Sequence, residues 1–130
     1  MANELILIVE DNEKNRRLAR DILQVKGYRT VEAETGETGI ELAAEQAPDL
    51  VLMDIHLPGI NGIEALKKLR TVERTRRIPV LAFTASVMPQ DRREIMDAGF
   101  DGFVSKPINL KEFIATVAKA LADEHPGGAA

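Results

Sequence analysis

The sequence predicts an α/β fold in which one parallel β-sheet of five strands is covered by helices on both faces. Short apolar runs alternate five times with longer segments of helical periodicity along the 130 residues. Several of these runs are continuously apolar, which is typical of strands buried on both faces. The helical segments are about 10 to 15 residues long, which is enough for the crossover that joins two parallel strands.

A chain of 130 residues fits one domain of ordinary size. Five consecutive strand–helix units fit a doubly wound, flavodoxin-like sheet with strand order 2-1-3-4-5. We predict that this domain spans residues 1–123. Residues 124–130, which include Pro-Gly-Gly, are expected to form a disordered tail.

The first unit is a buried strand followed by an amphipathic helix. Leu5–Val9 reads LILIV, a continuous apolar run. Asp11 or Asn12 can cap a helix that begins near Glu13, because both side chains accept hydrogen bonds from free amides of a first turn. The apolar face of this helix follows from i, i+4, i+7 spacing at Leu18, Ile22 and Val25.

The second unit is more exposed, and the third begins with the most buried strand. Tyr28–Ala33 alternates weakly and predicts a shorter, more exposed strand, followed by a helix that Thr35 and Gly36 start and that runs to about Gln46. Leu50–Met53 is continuously apolar and is flanked on both sides by turn-forming proline residues. Asp54 falls at the carboxyl end of this strand.

The remaining elements repeat the pattern. In order they are a helix through Ile63, Leu66 and Leu69, a strand over Ile78–Phe83, a helix over Met88–Ala98, a strand over Gly102–Val104 and a helix from Leu110 that Asn109 caps. These elements complete five strand–helix units with a single chain direction for all strands.

Five polar residues that the apolar runs do not require lie just at or after the ends of strands 1, 3, 4 and 5. They are Glu10, Asp11, Asp54, Thr84 and Lys106. Ligands of open α/β sheets bind at the edge formed by the carboxyl ends of the strands. We therefore expect three carboxylates, one hydroxyl and one ammonium to share this edge. Edge strand 2 carries Glu32 and Glu34, which are expected to lie too far away to join them.

The chemistry of this set favours a hard cation and a phosphoryl group. Clustered carboxylates repel one another, and a divalent cation relieves the repulsion. Oxygen ligands without cysteine favour Mg²⁺ or Mn²⁺ over Zn²⁺. An ammonium and a hydroxyl opposite the metal suit phosphoryl transfer, which depends on positioning and charge neutralisation. The carboxylate of Asp54 can be the nucleophile, giving an aspartyl phosphate.

The same residues resemble the receiver domain of two-component response regulators. The resemblance covers residues 4 to about 122, nearly the whole chain. The segments Val9–Asn12 (VEDN), Met53–Gly62 (MDIHLPGING) and Phe83–Ser86 (FTAS) are similar to receivers that stand alone or are attached to hybrid histidine kinases. The resemblance implies a flavodoxin-like (βα)5 fold and a phosphorelay function with no output domain.

The resemblance implies a phosphoacceptor and a metal site. Asp54 would take the phosphoryl group from a phosphohistidine. Asp11, Asp54 and the backbone carbonyl of His56 would hold Mg²⁺ directly, and Glu10 would act mainly through a water. The side chain of His56 could lean over the phosphoryl site, but an exposed loop position is the simpler expectation.

Further roles follow from the same resemblance. Lys106 would pair with a phosphoryl oxygen, and its peptide bond to Pro107 would be cis. Thr84 would move inward to bind the phosphoryl group, for which the small Ala85 leaves room. Phe103 matches the switch aromatic that turns inward with the threonine. This position is more often tyrosine in the family, so the hydrogen bond of a tyrosine hydroxyl has no counterpart here.

The implied partners are a histidine kinase or histidine phosphotransfer protein and a downstream regulatory protein. Helix 1, with Asn15, Arg16 and Ala19, would dock the histidine donor. Phosphorylation would change the surface formed by helix 4, strand 5 and helix 5. The protein would be a signalling switch rather than an enzyme, with only self-catalysed phosphotransfer and autodephosphorylation.

Two alternative functions share parts of the pattern. A small phosphatase could use the same aspartyl phosphate, but it calls for a second aspartate two residues after Asp54, where His56 stands. A flavodoxin-like cofactor carrier needs a phosphate-binding loop after strand 1, where the carboxylates of Glu10 and Asp11 would repel a phosphate.

Composition excludes several other classes. The net charge of −4 argues against nucleic-acid binding through bulk charge. The chain has no cysteine, hence no disulfide, thiolate nucleophile or cysteine-based metal site. No apolar stretch approaches the roughly 20 residues that a membrane span needs. We therefore expect a cytoplasmic protein that binds neither nucleic acid nor membrane.

Overall fold

The structure, a computed structural model, describes residues 3–85 and 88–129, and the side chains as far as residue 122. The elements in chain order are β1 (Leu5–Val9), α1 (Glu13–Val25), β2 (Arg29–Ala33), α2 (Gly36–Gln46), β3 (Leu50–Asp54), α3 (Gly62–Thr71), β4 (Val80–Thr84), α4 (Pro89–Ala98), β5 (Gly102–Ser105) and α5 (Leu110–Ala129). Ser86 of the FTAS segment lies outside the described residues. The side chains of residues 124–130, the expected tail, also lie outside the described residues. The disorder of this tail therefore stays a prediction.

The five strands form one parallel sheet of order β2-β1-β3-β4-β5, which confirms the predicted fold class. Every residue of β3 is buried, as the continuous apolar run predicted, and β2 at the sheet edge is the more exposed strand. The carboxyl ends of β1, β3 and β4 therefore meet at the centre of one edge of the sheet.

Helices cover the sheet in two apolar layers. On one face, α1 and α5 pack on alternate strand residues, among them Ile6 and Leu52. On the other face, α2, α3 and α4 pack on residues of the opposite parity, among them Leu7 and Met53. Because neighbouring residues of one strand feed both layers, the central strands have no polar alternation.

Asparagine side chains cap three of the helices, α1, α3 and α5. Asn12 Oδ1 accepts a hydrogen bond from the Asn15 amide at 3.0 Å, so Asn12 rather than Asp11 caps α1. Asn109 Oδ1 accepts from the Glu112 amide at 3.0 Å at the start of α5. Asn61 caps α3 through a reciprocal pair of hydrogen bonds with the third residue of the helix.

The start of β4 differs from the prediction. The strand begins at Val80, two residues later than expected. Pro79 has no amide hydrogen for the ladder, and the Val80 amide donates to Asp101 Oδ2 at 2.8 Å instead of to a strand. The Pro79 carbonyl still accepts from the Val51 amide at 2.9 Å, so the two chains already run together there.

Gly62 allows the loop after β3 to close tightly. A Cβ at this position would overlap the carbonyl oxygen of Asp54 and lie 2.9 Å from the Ile55 Cα. The Gly62 amide donates to the Ile55 carbonyl at 2.9 Å. The first turn of α3 is therefore held directly against the end of β3.

Within the described residues, none of the helices combines the length and the hydropathy needed to cross a bilayer.

Candidate functional site

Asp54 ends the central strand of the sheet and is the best-enclosed carboxylate at its rim after Glu10. The residue is 3% exposed. Its Oδ1 accepts a hydrogen bond from the His56 amide at 2.9 Å. Its Oδ2 lies 3.0 Å from Lys106 Nζ, which donates to it. Each carboxylate oxygen thus has one donor within the chain, and the side chain is fixed by both.

Glu10 and Asp11 bring two more carboxylates to Asp54. One oxygen from each of the three side chains lies within 4.8 Å of the others. Glu10 is fully buried, whereas Asp11 is exposed. The structure therefore brings together the three acidic residues that the strand-end argument selected.

Lys106 bridges two of these carboxylates. Its Nζ lies 2.7 Å from Glu10 Oε1 and 3.0 Å from Asp54 Oδ2. It also lies 4.7 Å from the centroid of the Phe83 ring. Burial alone would lower the pKa of Lys106, but the attraction of the Glu10 and Asp54 carboxylates outweighs it and the pKa is raised. Lys106 therefore stays an ammonium ion. The peptide bond between Lys106 and Pro107 is cis.

Glu10 is the most perturbed acid of the cluster. Burial raises its pKa from 4.5 to about 7, and the Asp54 carboxylate adds to this rise. The positive charge of Lys106 and the hydrogen bond from the Asn12 amide act in the opposite direction. Oε1 of Glu10 lies 2.7 Å from the Lys106 ammonium as an ion pair, and this buried oxygen accepts no hydrogen bond.

The cluster fits a divalent cation on two counts. All ligand atoms it offers are oxygens, which hard cations prefer. Three carboxylates face one ammonium, and the buried Glu10 Oε1 has spare capacity to accept. Within the described residues this is the one group of three acidic or histidine side chains close enough to hold an ion.

Thr84 and Ala85 follow β4 beside this cluster. Thr84 is 2% exposed and stands opposite Ser105 in the register of β4 and β5. Its carbonyl accepts from the Lys106 amide at 2.8 Å, which ties the end of β4 to the chain segment that carries the ammonium. Ala85 is exposed.

Phe103 lies in β5, next to Ala82 in the neighbouring strand. Its side chain is half-buried, and the guanidinium carbon of Arg92 in α4 lies 5.1 Å from the ring centroid. That distance is within the range of a cation–π contact. Sequence reasoning missed Arg92, because nothing in a helix pattern shows which residue of α4 faces a strand aromatic.

The side chain of His56 is exposed. It lines a cleft of about 370 Å³ together with Thr84 and Asp91.

The expectation that helix 1 docks the histidine donor through Ala19 is wrong, because Ala19 is fully buried in the core and cannot contact a partner. The side chain of Arg16 is 12% exposed and is held by bonds within the chain.

Comparison with known proteins decides the family. A model of the response regulator receiver domain matches residues 6–118. The chain belongs to the response regulator receiver domain family. As a receiver it is a signalling switch of two-component systems rather than a classical enzyme, and its acidic pocket is compatible with a phosphorylation site that binds a cation.

Particular relatives support this membership. The chain is 43% identical over 118 residues to the polar-differentiation response regulator DivK of Brucella ovis, covering 91% of this chain and 96% of DivK. The receiver domain of the sensor histidine kinase PA1611 from Pseudomonas aeruginosa, solved with magnesium in its active-site cleft, aligns with a TM-score of 0.85 at 31% identity. That alignment covers 93% of this chain and 99% of PA1611's. The chemotaxis protein CheY4 of Vibrio cholerae aligns with a TM-score of 0.85 at 25% identity, covering 92% and 99%.

Proposed function

We propose that this receiver accepts a phosphoryl group on Asp54 from a phosphohistidine in a Mg²⁺-dependent reaction. The observation that carries the proposal is the position of Asp54. Its carboxylate is almost fully buried at the end of β3, lies 3.0 Å from the Lys106 ammonium and shares an acidic cluster with Glu10 and Asp11.

The chemistry needs little covalent help from the protein. A carboxylate oxygen of Asp54 attacks phosphorus, a P–O bond forms, and the P–N bond of the phosphohistidine breaks with its electron pair returning to the imidazole. Lys106 stands where it can leave the carboxylate and pair with a phosphoryl oxygen. The His56 amide, which donates to Oδ1 at 2.9 Å, keeps the carboxylate oriented.

The proposed metal ligands are Asp11, Asp54 and the backbone carbonyl of His56, with Glu10 acting mainly through a water. A bound Mg²⁺ would neutralise charge that develops on the phosphoryl oxygens. The spare acceptor capacity of the buried Glu10 oxygen supports this assignment. Mn²⁺ is the expected substitute, since both are oxygen-seeking ions.

We propose that Thr84 and Phe103 carry the signal. Thr84 ends the strand next to Asp54, and its segment is bonded to that of Lys106. A phosphoryl group on Asp54 would draw the hydroxyl of Thr84 inward past Ala85. The half-buried Phe103 would then follow and change the surface made by α4, β5 and α5.

Family membership implies partners of two kinds: a histidine kinase or histidine phosphotransfer protein that donates, and a downstream protein that reads the changed surface. Asn15 on α1, near the rim, remains a candidate contact for the donor. The family also points to the cytoplasm as the site of action.

Phosphoryl uptake tests the proposal. We expect the protein, incubated with acetyl phosphate and Mg²⁺, to take up one acid-labile phosphoryl group. Asp54→Asn should abolish this uptake because the nucleophile is lost. Asp97→Asn changes an exposed carboxylate on α4 and should behave as the unmodified protein. Equal labelling of the Asp54→Asn variant would contradict the assignment.

A further inference from the structure

Arg16 on α1 connects the edge strand to the acidic pocket. Its Nε donates to Glu32 Oε1 at 3.0 Å, and its Nη1 donates to the backbone carbonyl of Glu10 at 3.0 Å. The side chain is only 12% exposed, so these bonds are largely shielded from water. Glu32, which the sequence placed too far away to join the site, is thus linked to it through one side chain.

The carbonyl that Arg16 holds belongs to the peptide group between Glu10 and Asp11. Its orientation therefore helps to set where both carboxylates point. The other bonds of Glu10 act elsewhere: its amide donates to the Ala33 carbonyl at 3.0 Å, and its Oε2 accepts from the Asn12 amide at 2.9 Å. Neither of these two bonds involves the Glu10 carbonyl, whereas the Arg16 bond holds it directly.

A role in attracting the cation does not explain a guanidinium beside this pocket. A positive charge beside the pocket opposes cation binding. The pairing with Glu32 and the nearby Glu34, 3.9 Å away, compensates part of that charge. The geometry of the side chain explains why arginine suits this position. A planar guanidinium can donate hydrogen bonds in two fixed directions at once, which a lysine ammonium does less well.

We propose that Arg16 is a positioning residue for the acidic pocket. By holding the Glu10 carbonyl against the Glu32 anchor on β2, it orients Glu10 and Asp11 for a divalent cation. This inference rests on the proposed function, since it concerns the same pocket.

Arg20 provides a matched control. It stands one turn further along α1, and its Nη1 lies 3.6 Å from the other oxygen of Glu32, with a bond to Asp21 at 2.9 Å. The hydrogen bonds and ion pairs of Arg20 go to Asp21 and Glu32 rather than to the Glu10–Asp11 peptide. Arg16→Gln and Arg20→Gln remove the same charge from the same carboxylate, but only the first releases the carbonyl.

The test is the Mg²⁺ affinity of each variant, measured by calorimetric titration and by the amide resonances of Asp11 and Asn12. Loss of a residue that orients metal ligands typically weakens metal affinity by about 10- to 100-fold. We expect about tenfold weakening for Arg16→Gln and an unchanged or tighter affinity for Arg20→Gln. The sign is diagnostic, because removing a positive charge would by itself tighten binding.

The Mg²⁺ titrations distinguish a failure of the positioning role of Arg16 from a failure of the proposed metal site. If the unmodified protein binds Mg²⁺ and Arg16→Gln binds it equally well or more tightly, the positioning role is overturned. If the unmodified protein does not bind Mg²⁺ at millimolar concentration, the proposed metal site itself fails.

Arg16→Lys is a second variant that tests the positioning role if Arg16→Gln does not fold. It keeps the charge but not the planar fork, so we expect affinity below that of the unmodified protein. An affinity equal to the unmodified value would show that charge alone matters, against the proposal. Unfolding in chelator, measured for each variant, identifies any loss of folded protein.

Discussion

At the residue scale, Glu10 carries the sharpest electrostatic consequence. Its pKa is raised from 4.5 to about 7, chiefly by burial, so the folded protein holds a proton on Glu10 across a pH range in which the unfolded chain has released it. The favourable contribution of the protonated carboxyl is therefore complete below about pH 4.5. It is lost as the pH rises through about 7.

We predict that Glu10→Gln stabilises the protein in chelator, and more so at about pH 8 than at about pH 5, because the amide removes a carboxylate whose ionised form is disfavoured by burial. Urea unfolding at the two pH values measures the difference. Glu45→Gln, at an exposed position of α2, should show no such dependence. A larger gain at the acidic pH would contradict the burial argument.

The sequence predicted which residues lie at the acidic pocket, but it did not predict which side chains contact one another there. Asp54 and Lys106 were selected because each follows a strand end, and strand ends meet wherever the sheet is parallel. Arg92 was missed, and Arg16 was expected only as a contact for the histidine donor, because the bonds of both depend on side chains that reach across to another element. The sequence shows only that each lies on a helix.

At the scale of elements, helix and strand existence followed from periodicity, and the boundaries depended on single hydrogen bonds. β4 begins at Val80 because Pro79 cannot donate and Asp101 captures the Val80 amide. The start of α1 at Asn12 was open between two residues. Both have carboxylate- or amide-type oxygens suited to capping, and the bond to the Asn15 amide decides it.

Gly62 is closely packed at the junction of β3 and α3, so a larger residue there should destabilise the protein. Gly62→Ala would push a Cβ into the Asp54 carbonyl and against the Ile55 backbone, neither of which can rotate away. We expect it to destabilise the protein by about 1 to 3 kcal/mol or more, as overpacking does, and to weaken Mg²⁺ binding.

Gly102→Ala is the control for this effect. Its Cβ would meet a methyl group of the Leu81 side chain at 3.1 Å, and a side chain can shift by a few tenths of an ångström. Denaturant unfolding of the two variants should therefore rank Gly62→Ala well below Gly102→Ala. The reverse order would show that the close approach at Gly62 is not what restrains this junction.

At the scale of the whole molecule, the acidic pocket predicts a linkage between cation binding and stability. A ligand that binds only the folded state raises the free energy of unfolding by about 1.4 kcal/mol at tenfold over its dissociation constant. We expect Mg²⁺ to raise the melting temperature of the unmodified protein and to have a much smaller effect on Asp11→Asn. A melting temperature indifferent to millimolar Mg²⁺ would exclude the site.

Phosphorylation of Asp54 is proposed to move Thr84 and Phe103, and one NMR experiment tests both parts of this proposal. Beryllofluoride with Mg²⁺ mimics a phosphoryl group on an aspartate. We predict that beryllofluoride, compared with Mg²⁺ alone, shifts the amide resonances of Thr84 and Phe103 as well as those next to Asp54, and that Asp54→Asn abolishes these additional shifts. An unmodified protein whose Thr84 and Phe103 resonances stay unchanged would contradict the account.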